Sequence, residues 1–410
     1  MEYGSCLIYS HQRVKNIFSV ILACFVMQIS FAQEEFVVPS RKITQFPFIQ
    51  LTGGIILLQA RFDSFKDTLN FVLDTGSGGI SLDSSAVVHF GIKPDPSNRT
   101  IRGIGGVRNV GFLNHKKLHL PGLTIDSLNF HVNNYDLLTA VYGERIDGII
   151  GYSVFSRYIV KINYDSTHVE FWTKGAIKYP RGGHLLRPSI SFLPVQTAQA
   201  KDQTMVQTRF LIDIGAGLNV LFNRDFIKDS SLLRKNRKLY VKEAEGLGGK
   251  VDMHLTVLRE FKLGPYRFKN VPVNIFDDEF NVTSYPHLGG LIGNDLLRRF
   301  NVILNYEQRE FHLLPNTHFH DNFDYSYSGL ELYMVDGVII IGDVAKDSPA
   351  EKAGLQEGDT VIAINKNFSQ NLSLYKVSLQ NASEAINMII ARKEQLMEFK
   401  FKVKNIMKNK

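Results

Sequence analysis

The stretch Phe71-Val72-Leu73-Asp74-Thr75-Gly76-Ser77-Gly78 places an Asp-x-Gly-x-Gly turn directly after a short apolar run. A second copy, Phe210-Leu211-Ile212-Asp213-Ile214-Gly215-Ala216-Gly217, follows 139 residues later. Apolar runs of this length that stop at glycine are typical of strands that end in tight turns. The chain therefore carries a duplicated strand-and-turn unit with one aspartate in each copy.

The duplication extends beyond these two turns. Three further pairs of segments recur in the same order, at offsets of 143, 142 and 142 residues. The pairs are Gly103-Ile104-Gly105-Gly106 with Gly246-Leu247-Gly248-Gly249, Asp147-Gly148-Ile149-Ile150-Gly151 with Gly289-Gly290-Leu291-Ile292-Gly293, and Val160-Lys161-Ile162-Asn163-Tyr164 with Val302-Ile303-Leu304-Asn305-Tyr306. Self-similarity at a fixed spacing indicates a repeated structural unit, so we predict two pseudo-symmetric lobes.

Each copy consists mostly of short runs of Val, Ile, Leu, Phe and Thr that are broken by Gly, Pro and Asn. This pattern predicts strands joined by turns, and the fold class is therefore mainly β. We place the N-terminal lobe at residues 45–175 and the C-terminal lobe at residues 186–316, with a linker at about 175–190. Short helices are expected at 153–157 and 295–299, one in each lobe.

The turn Asp74-Thr75-Gly76-Ser77 resembles the active-site turn of aspartic peptidases, and the apolar-apolar-Gly elements that end at Gly151 and Gly293 resemble the second half of the same site. The resemblance covers roughly residues 45 to 315. Both glycine-rich hairpins lie between the Asp turn and the apolar-Gly element, an order closer to the two equivalent flaps of retropepsins than to pepsin. It implies two β-barrel lobes and an endopeptidase for peptides or unfolded proteins, self-sufficient as a monomer and without a cofactor.

The chemistry of this family explains the residue types. Two carboxylates about 3 Å apart cannot both ionise easily, so they share one proton and can act as base and acid towards water and a peptide. The catalytic residues would be Asp74 and Asp213. Gly76 and Gly215 would let the backbone approach them, and by the same resemblance Thr75 would bond across to the opposite turn and Ser77 would hold the outer oxygen of Asp74.

The second turn departs from the family pattern, because Ile214 and Ala216 replace the two hydroxyl residues. An unbraced carboxylate in a dry cleft should have a raised pKa, which would bias Asp213 towards the general acid and Asp74 towards the base. The same departure leaves a second interpretation open. The chain would then be an inactive, exported peptide-binding adaptor on a peptidase fold.

The two glycine-rich segments are predicted to be flap tips that close over a bound peptide and expel water. Their residues are Gly103, Ile104, Gly105 and Gly106 in the first lobe, and Gly246, Leu247, Gly248 and Gly249 in the second. The alternative is that both are ordinary mobile hairpin ends.

A different pattern begins near residue 325. Ser348-Pro349-Ala350-Glu351-Lys352-Ala353-Gly354-Leu355 predicts a short helix with a Ser cap, Pro in its first turn and Gly at its end. A turn and a strand follow, and the spacing of Ala385, Ile386, Ile389 and Ile390 predicts a second, amphipathic helix over 383–392. The segment 325–405 resembles the α+β PDZ domains attached to bacterial exported serine peptidases.

This resemblance implies a site for peptide C-termini. The carboxylate-binding loop and the strand that would pair with the peptide comprise Ser328, Gly329, Leu330, Glu331 and Leu332. An extended peptide would add to this strand by backbone hydrogen bonds. Alternatively, the domain packs on the peptidase and its groove has no ligand.

The N-terminus has Arg13 and Lys15, an apolar run and small residues at Ser30 and Ala32, which is the pattern of a secretory signal over residues 1–32. Both cysteines, Cys6 and Cys24, lie within it. A mature chain without cysteines would suit a bacterial periplasm or cell envelope, or secretion. Membrane association is expected only if the signal segment is retained or lipidated.

The sequence disfavours both nucleic acid and metal ions as ligands. The formal net charge is +7, but no basic stripe with interleaved aromatics is present, so nucleic acid is not an expected partner. His115 and His119 are four residues apart, but in a predicted strand that spacing separates them by about 13 Å. Without a third ligand, no metal site is predicted.

Overall fold

The computed structural model describes residues 38–103, 106–246, 249–284, 286–382 and 385–408. Within these ranges no helix has both the length and the apolar character needed to cross a membrane. Residues 38–40 and 175–177 belong to a small unit of their own, in which Pro39 and Ala176 form an isolated parallel bridge. All the remaining described residues form the second unit.

The N-terminal lobe is built from short strands with three small helices among its described residues. The strands are β1 Lys42–Pro47, β2 Ile49–Gln50, β3 Ile56–Phe62, β4 Leu69–Leu73, β5 Ile80–Asp83, β6 Thr100–Gly103, β7 Gly106–Asn109, β8 Phe112–Leu120, β9 Leu123–Asn133, β10 Gly148–Ile150, β11 Ile159–Asn163 and β12 His168–Trp172. The helices are α1 Ser84–His89, α2 Asp136–Tyr142 and α3 Tyr152–Phe155, and a 3-10 turn spans Thr52–Gly54.

The C-terminal lobe repeats this pattern. Its strands are β13 His184–Leu186, β14 Ser189–Ile190, β15 Pro194–Lys201, β16 Met205–Asp213, β17 Val220–Asn223, β18 Tyr240–Gly246, β19 Gly249–Leu263, β20 Tyr266–Phe276, β21 Gly290–Gly293, β22 Phe300–Asn305 and β23 Glu310–Pro315. Its helices are α4 Arg224–Ser230 and α5 Asn294–Leu297. The expected helices at 153–157 and 295–299 correspond to α3 and α5, each displaced by about one residue.

Each lobe is a closed β-barrel. In the N-terminal lobe the order β3-β4-β10-β5-β9-β8 closes because β8 pairs with β3. In the C-terminal lobe the order β15-β16-β21-β17-β20-β19 closes because β19 pairs with β15. Strand by strand, the two orders correspond to the repeated segments, so the predicted pair of pseudo-symmetric barrels is confirmed.

A further sheet, in the order β1-β12-β11-β22-β23-β13, joins the lobes. The repeated segments Val160-Tyr164 and Val302-Tyr306 supply its central pair, with Lys161 opposite Ile303. Apolar side chains from both lobes, including Phe71, Phe210 and Leu304, share one buried core. The lobes are therefore fixed to each other by backbone hydrogen bonds and by a common apolar interior.

The C-terminal segment forms a smaller α+β domain. Its strands are β24 Ser326–Tyr327, β25 Leu330–Val335, β26 Val338–Val344, β27 Thr360–Ile364, β28 Ala385–Arg392, β29 Gln395–Lys402 and β30 Lys404–Asn405. Its helices are α6 Pro349–Ala353 and α7 Leu372–Ser378, and a 3-10 turn spans Ile406–Lys408. The sheet order is β25-β26-β27-β28-β29, over a core that includes Leu332, Val361 and Ile390.

One helix predicted in this domain is correct and one is wrong. Ser348 caps α6 by accepting a hydrogen bond from the Glu351 N–H, as expected. The segment predicted as a second helix contains strand β28 instead, while its first two residues, 383 and 384, lie outside the described part. Ile386, Met388 and Ile390 are all fully buried at alternate positions, which is the period of a strand. The second helix is α7, which ends before β28 begins.

Candidate active site

The first catalytic turn is placed by a parallel pair of strands in the middle of the N-terminal barrel. Strand β4 runs beside β10, and the Asp74 N–H donates to the Ile150 carbonyl at 2.9 Å. Gly148 allows β10 to fit between β4 and β5, because a Cβ there would lie 2.3 Å from the Ser81 carbonyl oxygen on β5 and 2.6 Å from the Phe71 ring on β4. The apolar-Gly element of the sequence thus positions the end of the strand that carries Asp74.

The second turn is placed in the same way. Strand β16 runs parallel to β21 with Asp213 opposite Gly293. On its other side β21 pairs with β17, where a Cβ at Gly290 would lie 1.9 Å from the Leu221 carbonyl oxygen, so only glycine is compatible with that pairing. The two aspartates therefore end equivalent strands of equivalent barrels.

The two turns meet face to face, as the sequence analysis predicted. The carboxyl groups of Asp74 and Asp213 lie close enough to influence each other's pKa directly. Each turn also places its glycine against the opposite acid. A Cβ at Gly76 would lie 2.5 Å from Asp213 Oδ2, and a Cβ at Gly215 would lie 2.3 Å from Asp74 Cγ. Any side chain at either glycine would occupy the space of a carboxyl group.

Backbone N–H groups surround the pair of acids. The Gly76 N–H donates to Asp74 Oδ1 at 2.6 Å, and the Gly215 N–H donates to Asp213 Oδ1 at 2.8 Å. The N–H of Ser77 also lowers the pKa of Asp74, and the N–H groups of Ala216 and Gly76 lower the pKa of Asp213, each in opposition to burial. Such bonds stabilise a charged carboxylate in a site that is largely shielded from water.

Burial, and then the charge of Asp213, raises the pKa of Asp74 well above its usual value. Burial also raises the pKa of Asp213, and the hydrogen bonds from Asp74 and from the backbone oppose that shift. Two neighbouring acids with raised pKa values are arranged to share one proton.

The assignment of Asp213 as general acid and Asp74 as base stays a prediction. The missing hydroxyls at Ile214 and Ala216 suggested that Asp213 lacks support, but the Gly215 N–H donates to Asp213 Oδ1 just as the Gly76 N–H donates to Asp74 Oδ1. Ser77 contributes its backbone N–H to Asp74. Backbone N–H groups therefore support both acids, with or without a hydroxyl side chain in the turn.

Thr75 performs the crossing contact that the family resemblance implies. Its buried hydroxyl donates to the Ile212 carbonyl at 2.8 Å and accepts from the Ile214 N–H at 3.0 Å. Ile214 is 1% exposed and packs into the shared apolar core instead of returning the contact. The two turns are thus joined by one threonine.

Both predicted flaps are hairpins. In the first, Gly103 pairs with Gly106, and in the second, Gly246 pairs with Gly249. The residues between these pairs, Ile104-Gly105 and Leu247-Gly248, lie outside the described part of the chain. The first flap also reaches the opposite lobe, since Arg102 Nη1 donates to the Asn281 carbonyl at 3.4 Å.

Two tyrosines near the acids were missed by the sequence analysis. The Tyr135 hydroxyl is hydrogen-bonded to Ser81 Oγ at 2.7 Å, and Ser81 Oγ also accepts from the Ile149 N–H beside the first turn. Burial, followed by the nearby charges of Asp74 and Asp213, raises the pKa of Tyr306 well above its usual value. Tyr306 ends the last repeated segment, which is the signal that could have identified it.

The PDZ residues named from the sequence lie at one edge of the small domain. The Leu330 N–H donates to Ser328 Oγ at 3.1 Å, and Gly329 has a φ of +76°, where a side chain would be strained. Leu330 and Leu332 contribute to the domain core, whereas Glu331 forms an ion pair with Lys242 at 3.5 Å. Ser328 and Gly329 therefore form a loop directly before β25, and Glu331 on that strand is engaged by the C-terminal lobe.

In the described ranges no group of three or more His, Cys, Asp or Glu side chains is placed to hold a metal ion. His119 lies in β8 and its Nδ1 is 3.0 Å from Thr124 Oγ1.

Comparisons with known proteins agree with this architecture. The aspartyl protease family matches residues 58–154 and again residues 197–296, and a PDZ domain family matches residues 340–392. The chain is also 35% identical over 91 residues to the carboxy-terminal processing protease CtpB of Bacillus subtilis, which covers 21% of this chain and 19% of that protein. The two barrels are thus lobes of the retropepsin-like aspartyl protease family, and they are followed by a C-terminal PDZ domain.

Proposed function

We propose that the chain is an aspartic endopeptidase that hydrolyses peptide bonds with water activated by Asp74 and Asp213, and that its PDZ domain binds peptide C-termini. The single observation that carries this proposal is the close approach of the two carboxyl groups, each of which lies against the glycine of the opposite turn at the meeting point of the lobes. A turn with an ordinary structural role has no need for a second buried acid as its partner.

The chemistry requires one proton on the pair. The ionised carboxylate takes a proton from a bound water as the water oxygen attacks the peptide carbonyl carbon, and the protonated carboxyl gives its proton to the carbonyl oxygen. The tetrahedral diol then collapses. One hydroxyl proton returns to the acids, the nitrogen is protonated, the C–N bond breaks, and the pair is left with one proton.

The surroundings of the acids support this sequence of steps. The backbone N–H groups of Gly76, Gly215 and Ala216 are fixed before substrate binds, so they stabilise the charged carboxylate without reorganisation. The two hairpin flaps would cover an extended peptide and exclude water from the acids.

Ile214 and Ala216 favour a second candidate function, that of a peptide-binding adaptor without catalytic activity. The crossing contact is made from one side only, and a weakened active site would suit an adaptor that binds extended peptides without cutting them.

We also propose export to a bacterial envelope, on the basis of the basic and apolar pattern in residues 1–32.

Turnover of an unfolded protein substrate tests the proposal. The purified chain is incubated with a reduced, carboxymethylated protein between about pH 3 and 8, a range that brackets shared carboxylates, with and without pepstatin. We expect cleavage that Asp74→Ala and Asp213→Ala each abolish. Asp225→Ala, which changes an exposed aspartate in α4, should cleave normally. Peptide binding without turnover at any pH would favour the adaptor.

A further inference from the structure

The PDZ groove has an identifiable open edge. Strand β25 is an end strand of its sheet, and β26 is the strand that pairs with it in the described part of the domain. An extended peptide would add to the unpaired edge of β25. Helix α7 also packs against β25 and forms the second wall of this groove.

A segment of the N-terminal lobe occupies this position. Helix α2 packs against β25. Directly after α2, Gly143 lies between the two walls, since a Cβ there would be 3.2 Å from Leu372 Cβ on α7 and 3.7 Å from Met334 Cβ on β25. Lys376 of α7 donates from Nζ to the Val141 carbonyl at 2.6 Å. An added peptide strand and α2 cannot both lie against the same part of β25.

Side chains of β25 hold the second flap. The Tyr333 hydroxyl donates to Glu243 Oε1 on β18 at 2.9 Å, and Tyr333 is 5% exposed. Lys250 on β19 pairs with the same Glu243 at 2.6 Å and lies 4.9 Å from the centre of the Tyr333 ring. On the same strand, Glu331 pairs with Lys242. Both strands of the flap hairpin are therefore attached to the strand that would receive the peptide.

Helix α2 connects the groove to the catalytic turns. It packs against β18 of the flap as well as against β25. At its N-terminus, the Tyr135 N–H donates to Asp83 Oδ1 at 2.7 Å, and the Tyr135 hydroxyl is bonded to Ser81 on β5. Ser81 in turn accepts from Ile149, whose strand lies beside the turn of Asp74. One helix thus contacts the PDZ edge, a flap strand and the floor of the site.

We propose that α2 with Gly143 and an external peptide compete for the edge of β25, and that peptide binding frees the second flap. The partner is an extended peptide with a free C-terminal carboxylate. The inference rests on the proposed function in one respect, because the released flap is the one that would cover the substrate. In the unliganded chain the flap is restrained and turnover is low.

The loop formed by Ser328 and Gly329 is where the carboxylate of the peptide would bind. In the unliganded chain the Leu330 N–H donates to the neutral Ser328 hydroxyl oxygen at 3.1 Å. The incoming carboxylate would replace this hydroxyl as the acceptor of the Leu330 N–H, and a charged acceptor makes the stronger hydrogen bond. Peptides with an amidated C-terminus lack that charge and should bind more weakly.

Competition between α2 and the peptide lowers the measured affinity of the chain for the peptide. A peptide that binds only when α2 has left the edge of β25 binds with an affinity reduced by the fraction of chains in the open state. The coupling is reciprocal, so a change that opens the edge must tighten peptide binding.

The test measures peptide binding and flap exchange in the full-length chain. The probes are fluorescent heptapeptides that end in Val, Leu, Phe or Ala with a free carboxylate, and the same peptides with an amidated C-terminus. Gly143→Val should move α2 off the groove, because Gly143 has a φ of +70° and its Cβ would press on Leu372. We expect this variant to bind the free-carboxylate probes about tenfold more tightly than the unaltered chain, and the amidated probes weakly.

Hydrogen exchange reports on the flap without requiring catalysis. Adding the probe should accelerate amide exchange in β18 and in residues 136–143 by about tenfold or more. Tyr333→Phe should accelerate exchange in β18 without any peptide. The matched control is Tyr179→Phe, which removes another tyrosine hydroxyl bonded to a glutamate, Glu310, at 2.9 Å, and it should leave exchange in β18 unchanged.

Three results would overturn the inference: no probe binding to either chain, equal binding to the unaltered chain and Gly143→Val, or probe binding without faster exchange in β18. Turnover of the unfolded substrate is recorded in parallel. Absence of Asp74-dependent turnover, together with the expected exchange results, would contradict the proposed function alone. Turnover that the probes leave unchanged would contradict the inference alone.

Discussion

The Thr75 hydroxyl lies 3.0 Å from the Ile214 backbone nitrogen and joins the turn of one lobe to the turn of the other. The same hydroxyl donates to the Ile212 carbonyl, so both of its hydrogen-bonding functions are used across the lobe boundary. Ile214, its counterpart in the repeat, is aliphatic and buried. The relative position of the two acids therefore depends on a single side chain more strongly than in a site with two such threonines.

Replacing Thr75 should weaken both the fold and the site. Thr75→Val keeps the shape but leaves the Ile212 carbonyl and the Ile214 N–H without their partner, and each buried loss costs about 1–3 kcal/mol. We expect a lower free energy of unfolding in urea and a reduced kcat. Thr75→Ser retains the hydroxyl and should recover most of both quantities. Equal effects of the two substitutions would contradict this role.

The two turn glycines offer a test of the close approach. Gly76→Ala places a Cβ 2.5 Å from Asp213 Oδ2, while Gly78→Ala meets no atom within 4 Å. We expect Gly76→Ala to reduce kcat/KM by at least about a hundredfold, the lower range for loss of acid–base catalysis. Gly78→Ala should remain within about threefold of the unaltered chain, because an exposed surface change has little effect on the fold. Circular dichroism should show that both variants are folded.

The raised pKa values of the acids make stability depend on pH. A carboxyl whose pKa is higher in the folded state binds more protons there, so the folded state loses stability as pH rises from the ordinary carboxyl pKa through the raised one. Burial raises the pKa of both Asp74 and Asp213. We expect Asp213→Asn to have a higher Tm than the unaltered chain at about pH 7, and the difference to shrink near pH ~3, below the ordinary carboxyl pKa. A constant difference across this range would contradict the assignment.

A buried ion pair away from the site should matter more than an exposed one. Asp202 is fully buried and is bonded by the Arg237 guanidinium and by the Arg234 N–H. Arg237→Met leaves this carboxylate uncompensated, and we expect a loss of about 3–5 kcal/mol in the free energy of unfolding. Lys228→Met removes an exposed pair with Asp225 and should cost less than about 1 kcal/mol. Denaturation in urea measures both.

Much of the site follows from local patterns. The repeated turns of Asp74 and Asp213, and the glycines that flank them, were predicted because each requirement is set within a few residues of the acid. The same holds for helix α6, whose cap, first-turn proline and terminal glycine are adjacent in sequence. The segment containing β28 was mispredicted because Ile386, Ile389 and Ile390 fit a helical spacing, while the buried alternation of Ile386, Met388 and Ile390 is settled by the neighbouring strands β27 and β29.

Local composition and repetition were enough to predict two equivalent lobes, one acid in each, and a different domain after them, because each of these features is encoded within short segments of the chain. The folded arrangement was needed to establish that backbone N–H groups reach both acids, that the Thr75 hydroxyl crosses to the opposite turn, and that α2 and the second flap lie against the PDZ edge. Those relationships depend on contacts between residues far apart in the chain. Such contacts arise from barrel closure and packing, and no short stretch of sequence specifies them.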